Sequence, residues 1–199
     1  MIEKLIVFAR AAHAGQVKTR LAREIGDQAA VDAYKTLMEQ LLANLRSVFN
    51  VELRFTPDSA RAEFESWLQP GWHLAPQGEG DLGQRLARAF QESFAAGSQR
   101  VAIIGSDCPA VTVQDIHSAW RSLLTHDVVL GPARDGGYWL IGLCRPQPGI
   151  FENIPWSSAA VLETTLTRVR EAGLTVHRLR TLADVDTVED WEEFNRARG

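Results

Sequence analysis

Apolar runs and amphipathic segments alternate along the whole chain. Runs typical of buried strands occur at residues 5–9, 51–55, 101–104, 127–132, 138–142 and 175–179. Apolar residues at helical spacing predict helices over residues 30–45, 60–68, 86–94 and 116–124, from Ser157 or Ser158 to Gly173, and after Thr187. Strands that alternate with helices favour an α/β protein with a mostly parallel central sheet.

The strand at residues 101–104 runs directly into Gly105, Ser106 and Asp107. Its continuous apolar composition fits a central strand that is covered on both faces. Ligands of open α/β sheets bind beyond the carboxyl ends of such strands, and Pro109 should turn the chain away and expose Asp107. Asp107 is therefore a candidate site residue, although an aspartate that only caps a turn would show the same pattern.

The loop after the first predicted strand combines Arg10, Lys18 and Arg20 with a hydroxyl and a flexible glycine, Gly15. This position is typical of phosphate binding, although the loop has no Walker or dinucleotide glycine pattern. Lys18 and Arg20 lie two residues apart, so in an extended segment both side chains would project from one face towards a single anion. The alternative is a solvated loop with ordinary surface charges.

Two glycine-containing stretches are further candidate ligand contacts. Residues 77–85 hold three glycines before a predicted helix, so the backbone can approach a ligand there, and a flexible connector capped by Asp81 is the alternative. Asp135-Gly-Gly is a hairpin-turn signal, and Arg134 and Asp135 lie at its tip, where they could meet a ligand.

Asp184 and Asp186 place two carboxylates just before the last predicted helix, which Thr187 and Asp190 are expected to cap. Crowding two negative charges is unfavourable, and a divalent cation relieves it. The dipole of the following helix is the alternative source of stabilisation. The sequence thus indicates a candidate metal site and keeps that alternative open.

Composition and charge exclude several classes of protein. The 199 residues are 45% hydrophobic, which suits one globular domain over residues 1–199. A formal charge of −4 without a long basic run argues against nucleic acid as the main partner. Cys108 and Cys144 form no C-x-x-C pair, so neither a disulfide framework nor a thiolate zinc site is expected, and a cytoplasmic location fits. The apolar segment before Arg10 is too short for a signal peptide or a membrane span.

Five motifs, taken in order, resemble the nucleotide-diphospho-sugar transferase superfamily, whose members have the glycosyltransferase A fold. The closest resemblance is to small bacterial glycosyltransferase-like proteins described as transferase 1 associated with radical-SAM and selenium-related domains. Each motif is weak alone, and their joint order is specific. The motifs are Gly15-Gln-Val-Lys-Thr-Arg-Leu21, Gly80-Asp-Leu-Gly83, Gly105-Ser-Asp-Cys-Pro109, Gly131-Pro-Ala-Arg-Asp-Gly-Gly-Tyr-Trp139 and Asp184-Val-Asp-Thr187.

The resemblance implies a three-layer α/β/α sandwich with a nucleotide diphosphate held over the strand ends. It implies that Asp107 and Asp135 are catalytic, and that Mg²⁺ or Mn²⁺ binds Asp107 together with Asp184 or Asp186. The nucleotide-binding residues that it implies are Arg10, Lys18, Arg20, Gln77, Gly83 and Ser106. The substrate-binding residues that it implies are Gly136, Gly137 and Tyr138.

Three functions are consistent with these features. The first is glycosyl transfer from a nucleotide-diphosphate sugar to a small or lipid-like acceptor, with the cation stabilising the departing diphosphate. The second is nucleotidyl transfer from a nucleoside triphosphate to a small phosphorylated acceptor, because guanylyltransferases of that kind share the Lys-Thr-Arg-Leu and Asp-Gly-Gly stretches. The third is a non-catalytic module that binds a nucleotide.

Overall fold

The computed structural model describes residues 2–198, in which seven strands form one mixed sheet and seven α-helices flank it. The strands are β1 (Glu3–Arg10), β2 (Val51–Thr56), β3 (His73–Pro76), β4 (Arg100–Gly105), β5 (Val128–Pro132), β6 (Tyr138–Leu143) and β7 (Val176–Arg178). The helices are α1 (Thr19–Ile25), α2 (Asp27–Asn44), α3 (Arg61–Phe64), α4 (Leu82–Ala95), α5 (Val113–Ser122), α6 (Val161–Glu171) and α7 (Val188–Arg196).

The strand order in the sheet is β3-β2-β1-β4-β6-β5-β7. Of these seven strands, β6 alone runs antiparallel to its neighbours, and it forms a hairpin with β5 across the predicted Asp-Gly-Gly turn. From β1 the chain moves outward to β2 and β3, and it then returns to place β4 on the other side of β1. The strand order reverses between β1 and β4, which opens a crevice at their carboxyl ends.

The side chains of β1 divide between two apolar cores, one on each face of the sheet. Leu5 and Val7 pack with the buried faces of α2 and α5, whereas Ile6 and Phe8 pack with those of α4 and α6. Successive residues of a strand point to opposite faces, so a strand that is covered on both sides must be apolar throughout. The prediction of a three-layer α/β/α sandwich with a mostly parallel sheet is confirmed.

Three of the described helices begin with a capping box, and the sequence predicted the one that begins α7. The pairs are Asp81 with Gln84 for α4, Thr112 with Asp115 for α5, and Thr187 with Asp190 for α7. In each pair the side chain of the capping residue accepts a hydrogen bond from the backbone N–H of the third helical residue. The side chain of that third residue in turn accepts a hydrogen bond from the backbone N–H of the capping residue. These caps fix where α4 and α7 enter the region above the strand ends.

Several predicted boundaries are corrected by the structure. The strand β3 was not predicted, because His73–Pro76 is a half-exposed edge strand that ends in proline and shows no apolar alternation. The helix predicted from Ser157 or Ser158 begins only at Val161, since Ser157 has a left-handed backbone with a φ of 65°. The helix predicted over residues 60–68 is a short helix, α3, between two 3-10 turns.

No helix among the described residues is long and apolar enough to cross a membrane.

Candidate active site

A cleft of about 590 Å³ lies where the chain leaves β4, next to the loop that follows β1. Its charged lining residues come from four separate segments of the chain, which the fold brings to one edge of the sheet. They are Lys18, Arg20, Asp107, Asp135, Asp184 and Asp186. All six of these charged residues are predicted site residues, and Gly137 and Tyr138, which were also predicted, line the same cavity.

Asp107 follows β4 directly, and its carboxylate is about half exposed to the cleft, at 52%. The backbone around it is joined to the segment before α7, because Val185 N–H donates to the Asp107 carbonyl at 3.1 Å. The buried Cys108 thiol donates to the Ala183 carbonyl at 3.3 Å. Among the described hydrogen bonds, no backbone N–H donates to the Asp107 carboxylate, and its ion-pair partner is Lys18. These contacts bring Asp184 and Asp186 to Asp107.

Lys18 is a buried ammonium with two carboxylate partners. Its side chain is 2% exposed, and Nζ lies 2.5 Å from Asp107 Oδ1 and 3.1 Å from Asp186 Oδ1. Burial lowers the pKa of Lys18, but the attraction of the two carboxylates outweighs burial and the net pKa is raised. Lys18 is therefore a permanent positive charge at the strand ends.

The expected extended arrangement of Lys18 and Arg20 is wrong. Lys18 has a left-handed backbone with a φ of 47°, and α1 begins at Thr19, so Arg20 lies in the first turn of a helix. The left-handed residue turns the lysine side chain inward, while Arg20 stays exposed. Both cations nevertheless line the cleft, one from within the protein and one from its rim.

The carboxylates of the cleft repel one another. Burial is the largest of the causes that raise the pKa of Asp184 from 3.8 to about 7. The nearby negative charges add to this effect, and they belong to Asp107, Asp135 and Asp186. Within residues 2–198, no group of three or more His, Cys, Asp or Glu side chains is already arranged around a single metal position. The cleft is thus a site with excess negative charge that Lys18 neutralises only in part.

The turn between β5 and β6 contributes the far rim of the cleft. Asp135 Oδ1 accepts the Gly137 N–H at 2.8 Å, and both residues line the cavity. Tyr138 lines it with its ring, while its hydroxyl is buried with no hydrogen-bond partner among the described residues, and burial raises its pKa. Gly136 does not line the cleft, because it packs against the Ala159 backbone, where a Cβ atom would clash.

Arg10 and Ser106 line a smaller pocket of about 120 Å³ that shares Lys18 and Asp107 with the cleft. The Tyr34 hydroxyl from α2 accepts the Arg10 N–H at 3.0 Å and lies 3.2 Å from Ser106 Oγ. It therefore joins the ends of β1 and β4 at the point where the strand order reverses. The apolar spacing of α2 indicated only a core role for Tyr34, so sequence reasoning missed this contact.

Gln77 and Gly83, two of the predicted nucleotide contacts, do not line the cleft. The Gln77 side chain is buried, and its amide donates to the carbonyls of Ala9 and Arg54 at 3.0 Å each, so it connects β1 to β2. Gly83 lies within α4, where a Cβ atom would come 2.7 Å from the Phe151 carbonyl oxygen. Both residues have a packing role in the structure.

The segment between β6 and α6 supplies cleft residues that the sequence did not indicate. Trp156, Ser157 and Ser158 line the cavity together with Leu82 at the start of α4. The available signal was an aromatic residue between a proline and two serines, and it was interpreted as a helix start.

Comparison with known proteins identifies relatives of this chain. Residues 38–158 match the family DUF2064, which is described as an uncharacterized protein conserved in bacteria. A search of the curated proteins found no match. Among solved structures, a candidate nucleotide-diphospho-sugar transferase from Desulfovibrio desulfuricans G20 is 33% identical, with a TM-score of 0.91. The alignment covers 100% of this chain and 88% of that one.

Two more distant structures share the fold alone. A CMP:2-keto-3-deoxy-manno-octonic acid synthetase complexed with CTP is 10% identical, with a TM-score of 0.62 and coverage of 100% of this chain and 98% of that one. Rv0371C from Mycobacterium tuberculosis H37Rv, complexed with manganese, is 14% identical, with a TM-score of 0.59 and coverage of 99% and 100%. The predicted resemblance is confirmed: the chain belongs to the DUF2064 family and has the fold of the nucleotide-diphospho-sugar transferases.

Proposed function

We propose that the protein is a transferase that moves a glycosyl group from a nucleotide-diphosphate sugar with the help of a divalent cation. The observation that carries the proposal is the cleft beside β4, in which two cations and four carboxylates converge. Its volume of about 590 Å³ falls within the range of small-molecule sites. The candidate nucleotide-diphospho-sugar transferase that is 33% identical over the whole chain supports this class of substrate.

Lys18 and Arg20 are the residues that would bind the diphosphate. The two carboxylates that hold Lys18 Nζ fix an ammonium group at the strand ends. Arg20 is exposed at the rim, and its guanidinium makes no hydrogen bond with the described part of the chain, so all its donors are free. A guanidinium fork suits phosphate oxygens and pairs with two of them at once.

The oxygen donors of the cleft fit a hard divalent cation such as Mg²⁺ or Mn²⁺. Asp107, Asp184 and Asp186 would hold it, and its charge would offset the burial and the repulsion that together raise the pKa of Asp184. A bound cation would stabilise the negative charge that develops on the departing diphosphate. The manganese complex of Rv0371C, which shares the fold, supports the choice of metal.

Asp135 is the residue that would accept the proton of the attacking hydroxyl group. Its carboxylate is exposed at the rim, and the bond from Gly137 N–H occupies only Oδ1, so Oδ2 is free to accept. The turn between β5 and β6 carries Asp135, which lines the same cavity as Lys18 and Arg20.

Turnover tests this proposal. The protein is incubated with UDP-, GDP-, CDP- and ADP-sugars and Mn²⁺, with water as the surrogate acceptor of the glycosyl group, and release of the nucleoside diphosphate is measured. We expect release with at least one sugar nucleotide, and we expect Asp107→Asn to abolish it. Asp32→Asn, on the exposed face of α2, is the matched control and should keep full activity. Release that is unchanged in Asp107→Asn would contradict the proposal.

Nucleotidyl transfer is the second candidate. It is favoured by the fold shared with the synthetase that was solved with CTP. Nucleoside triphosphates and small phosphorylated acceptors such as sugar 1-phosphates are supplied in a parallel incubation, and release of pyrophosphate as the nucleotidyl group joins the acceptor phosphate would identify this reaction. Tight nucleotide binding without any turnover would instead identify a binding module.

A further inference from the structure

A second groove of about 480 Å³ lies beside the cleft, and Trp156 lines both cavities. The start of α4, from Asp81 to Ala87, forms one wall, and the loop of residues 148–154 forms the other. None of the functions proposed for the cleft residues involves this groove. Because the groove and the cleft share a wall, a molecule in the groove would lie next to a donor in the cleft.

Core packing supports the aromatic wall of the groove. Phe151 and Ile154 are buried beneath it, and Phe151 stacks on Phe90 of α4 with ring centroids 5.8 Å apart. Gly83 lets the Phe151 carbonyl and the Trp156 indole approach α4 closely, since a Cβ atom would lie 3.0 Å from Trp156 Nε1. Trp156 is therefore a half-buried ring in a fixed position.

Polar groups with free hydrogen-bonding capacity surround the ring. Glu152 and Asn153 are exposed, and their side chains make no hydrogen bond with the described residues. Gln84 uses its amide oxygen to accept the Asp81 N–H, which leaves its NH₂ group free. Carboxylate and amide groups beside an aromatic face can bond hydroxyl groups and pack against a C–H face.

The charge of the groove is acidic. Its charged lining residues are Asp81 and Glu152, and the ten residues that line it include neither lysine nor arginine. A phosphorylated or otherwise anionic molecule would meet like charge there without a cationic partner. The cations of the neighbouring cleft, Lys18 and Arg20, lie outside the lining of the groove.

We propose that this groove is the acceptor site, and that the acceptor is a neutral polyhydroxylated ring of the carbohydrate type without a phosphate group. This inference rests on the proposed function, because it names the second substrate of the same reaction. The ring packs its C–H face on Trp156, while Glu152, Asn153 and Gln84 bond its hydroxyl groups. An acceptor in this position lies beside the cleft, and a hydroxyl group at its edge next to Trp156 faces the donor.

Saturation-transfer NMR on the intact protein tests the acceptor site without requiring turnover. The probes are the methyl glycosides of glucose, galactose, mannose and N-acetylglucosamine, each compared with the 6-phosphate of the parent sugar. Millimolar inorganic phosphate is present throughout to occupy Lys18 and Arg20 in the cleft. Under this condition we expect at least one neutral glycoside to bind and the sugar phosphates to bind more weakly. Trp156→Ala should weaken glycoside binding by about tenfold or more, which corresponds to about 1.4 kcal/mol. Trp191→Ala, in α7 and outside both cavities, is the matched control.

Charge reversal gives a second readout that does not depend on the aromatic ring. Glu152→Lys should improve the binding of the sugar phosphates relative to the neutral glycosides, whereas Glu39→Lys, on the exposed face of α2, should not. Binding of no neutral glycoside, or glycoside binding that survives Trp156→Ala, overturns the acceptor site. Neither result affects nucleotide binding in the cleft, which is titrated separately and tests the proposed function by itself.

Discussion

At the scale of single residues, Lys18 and Arg20 carry the same charge in different surroundings. Lys18 is buried between Asp107 and Asp186, so Lys18→Met leaves two carboxylates without their shared cation. Hydrogen bonds to charged groups contribute about 1.5–3 kcal/mol each, so we expect Lys18→Met to lower both the free energy of unfolding and the nucleotide affinity. Arg20→Ala should weaken nucleotide binding by a similar amount and leave stability within about 0.5 kcal/mol.

Urea unfolding measures the free energy of unfolding of each variant. Calorimetric titration with a nucleoside diphosphate measures its nucleotide affinity. The burial of Lys18, which the sequence did not indicate, is the reason why only its replacement should affect stability. If Arg20→Ala binds the nucleotide as well as the wild type does, Arg20 is an ordinary surface residue.

The Asp184 carboxyl group makes stability depend on pH. In the unfolded chain it releases its proton near pH 3.8, whereas in the folded, metal-free protein it keeps the proton up to about pH 7. The bound proton therefore favours the folded state at low pH, and this contribution is lost as the pH rises from about 4 to 7. Asp184→Asn, which cannot ionise, should be more stable than the wild type near pH 8 and about equally stable near pH 4.

One pKa unit corresponds to about 1.4 kcal/mol, so the gain near pH 8 should reach a few kcal/mol. Melting temperatures at both pH values in the presence of a chelator measure it, with Asp32→Asn as the control. An Asp184→Asn variant that is less stable than the wild type near pH 8 would contradict the proposed repulsion between the carboxylates. Mn²⁺ should reduce the difference, because the cation stabilises the ionised wild-type carboxyl group.

At the scale of elements, the start of α7 connects helix capping to the site. Asp190 accepts hydrogen bonds from the backbone N–H groups of both Asp186 and Thr187, so the capping box also fixes the loop that carries Asp184 and Asp186. Loss of a threonine cap lowers stability by about 1 kcal/mol. We expect Thr187→Ala to have this effect and also to lower the affinity for Mn²⁺ and nucleotide.

Thr112→Ala removes the equivalent cap of α5, away from the cleft, and provides the control. It should lower stability by a similar amount and leave ligand affinity unchanged. Equal ligand affinity in both variants would show that the cap of α7 has no influence on the cleft.

The sequence predicted elements well where one local pattern determines them. Apolar runs located β1 and β4, and the pair of Thr187 and Asp190 located the start of α7. It missed β3, which is an edge strand held by pairing with β2, and it began α6 too early at Ser157. In both places tertiary contacts, rather than local preference, determine the backbone.

At the scale of the whole molecule, sequence order could place Asp107 at a strand end but could not measure its distance from Asp184. The bond from Val185 N–H to the Asp107 carbonyl makes them neighbours, and it joins segments that are far apart in sequence. The sequence also could not show the left-handed backbone of Lys18 or the packing roles of Gln77 and Gly83, because these depend on contacts in the folded protein. Trp156 was overlooked because an isolated aromatic residue in a loop has no periodic pattern.

The claim that Asp107 helps to hold a cation needed for nucleotide binding is tested most directly by calorimetry. Nucleoside diphosphates are titrated into the wild type and into Asp107→Asn, first with Mn²⁺ and then with a chelator. Asparagine keeps the shape of the side chain and removes its charge, so the variant should stay folded. The proposed function predicts binding to the wild type that requires Mn²⁺ and is lost in Asp107→Asn. Absence of binding at millimolar nucleotide, or equal Mn²⁺-dependent affinity in the wild type and the variant, would contradict it.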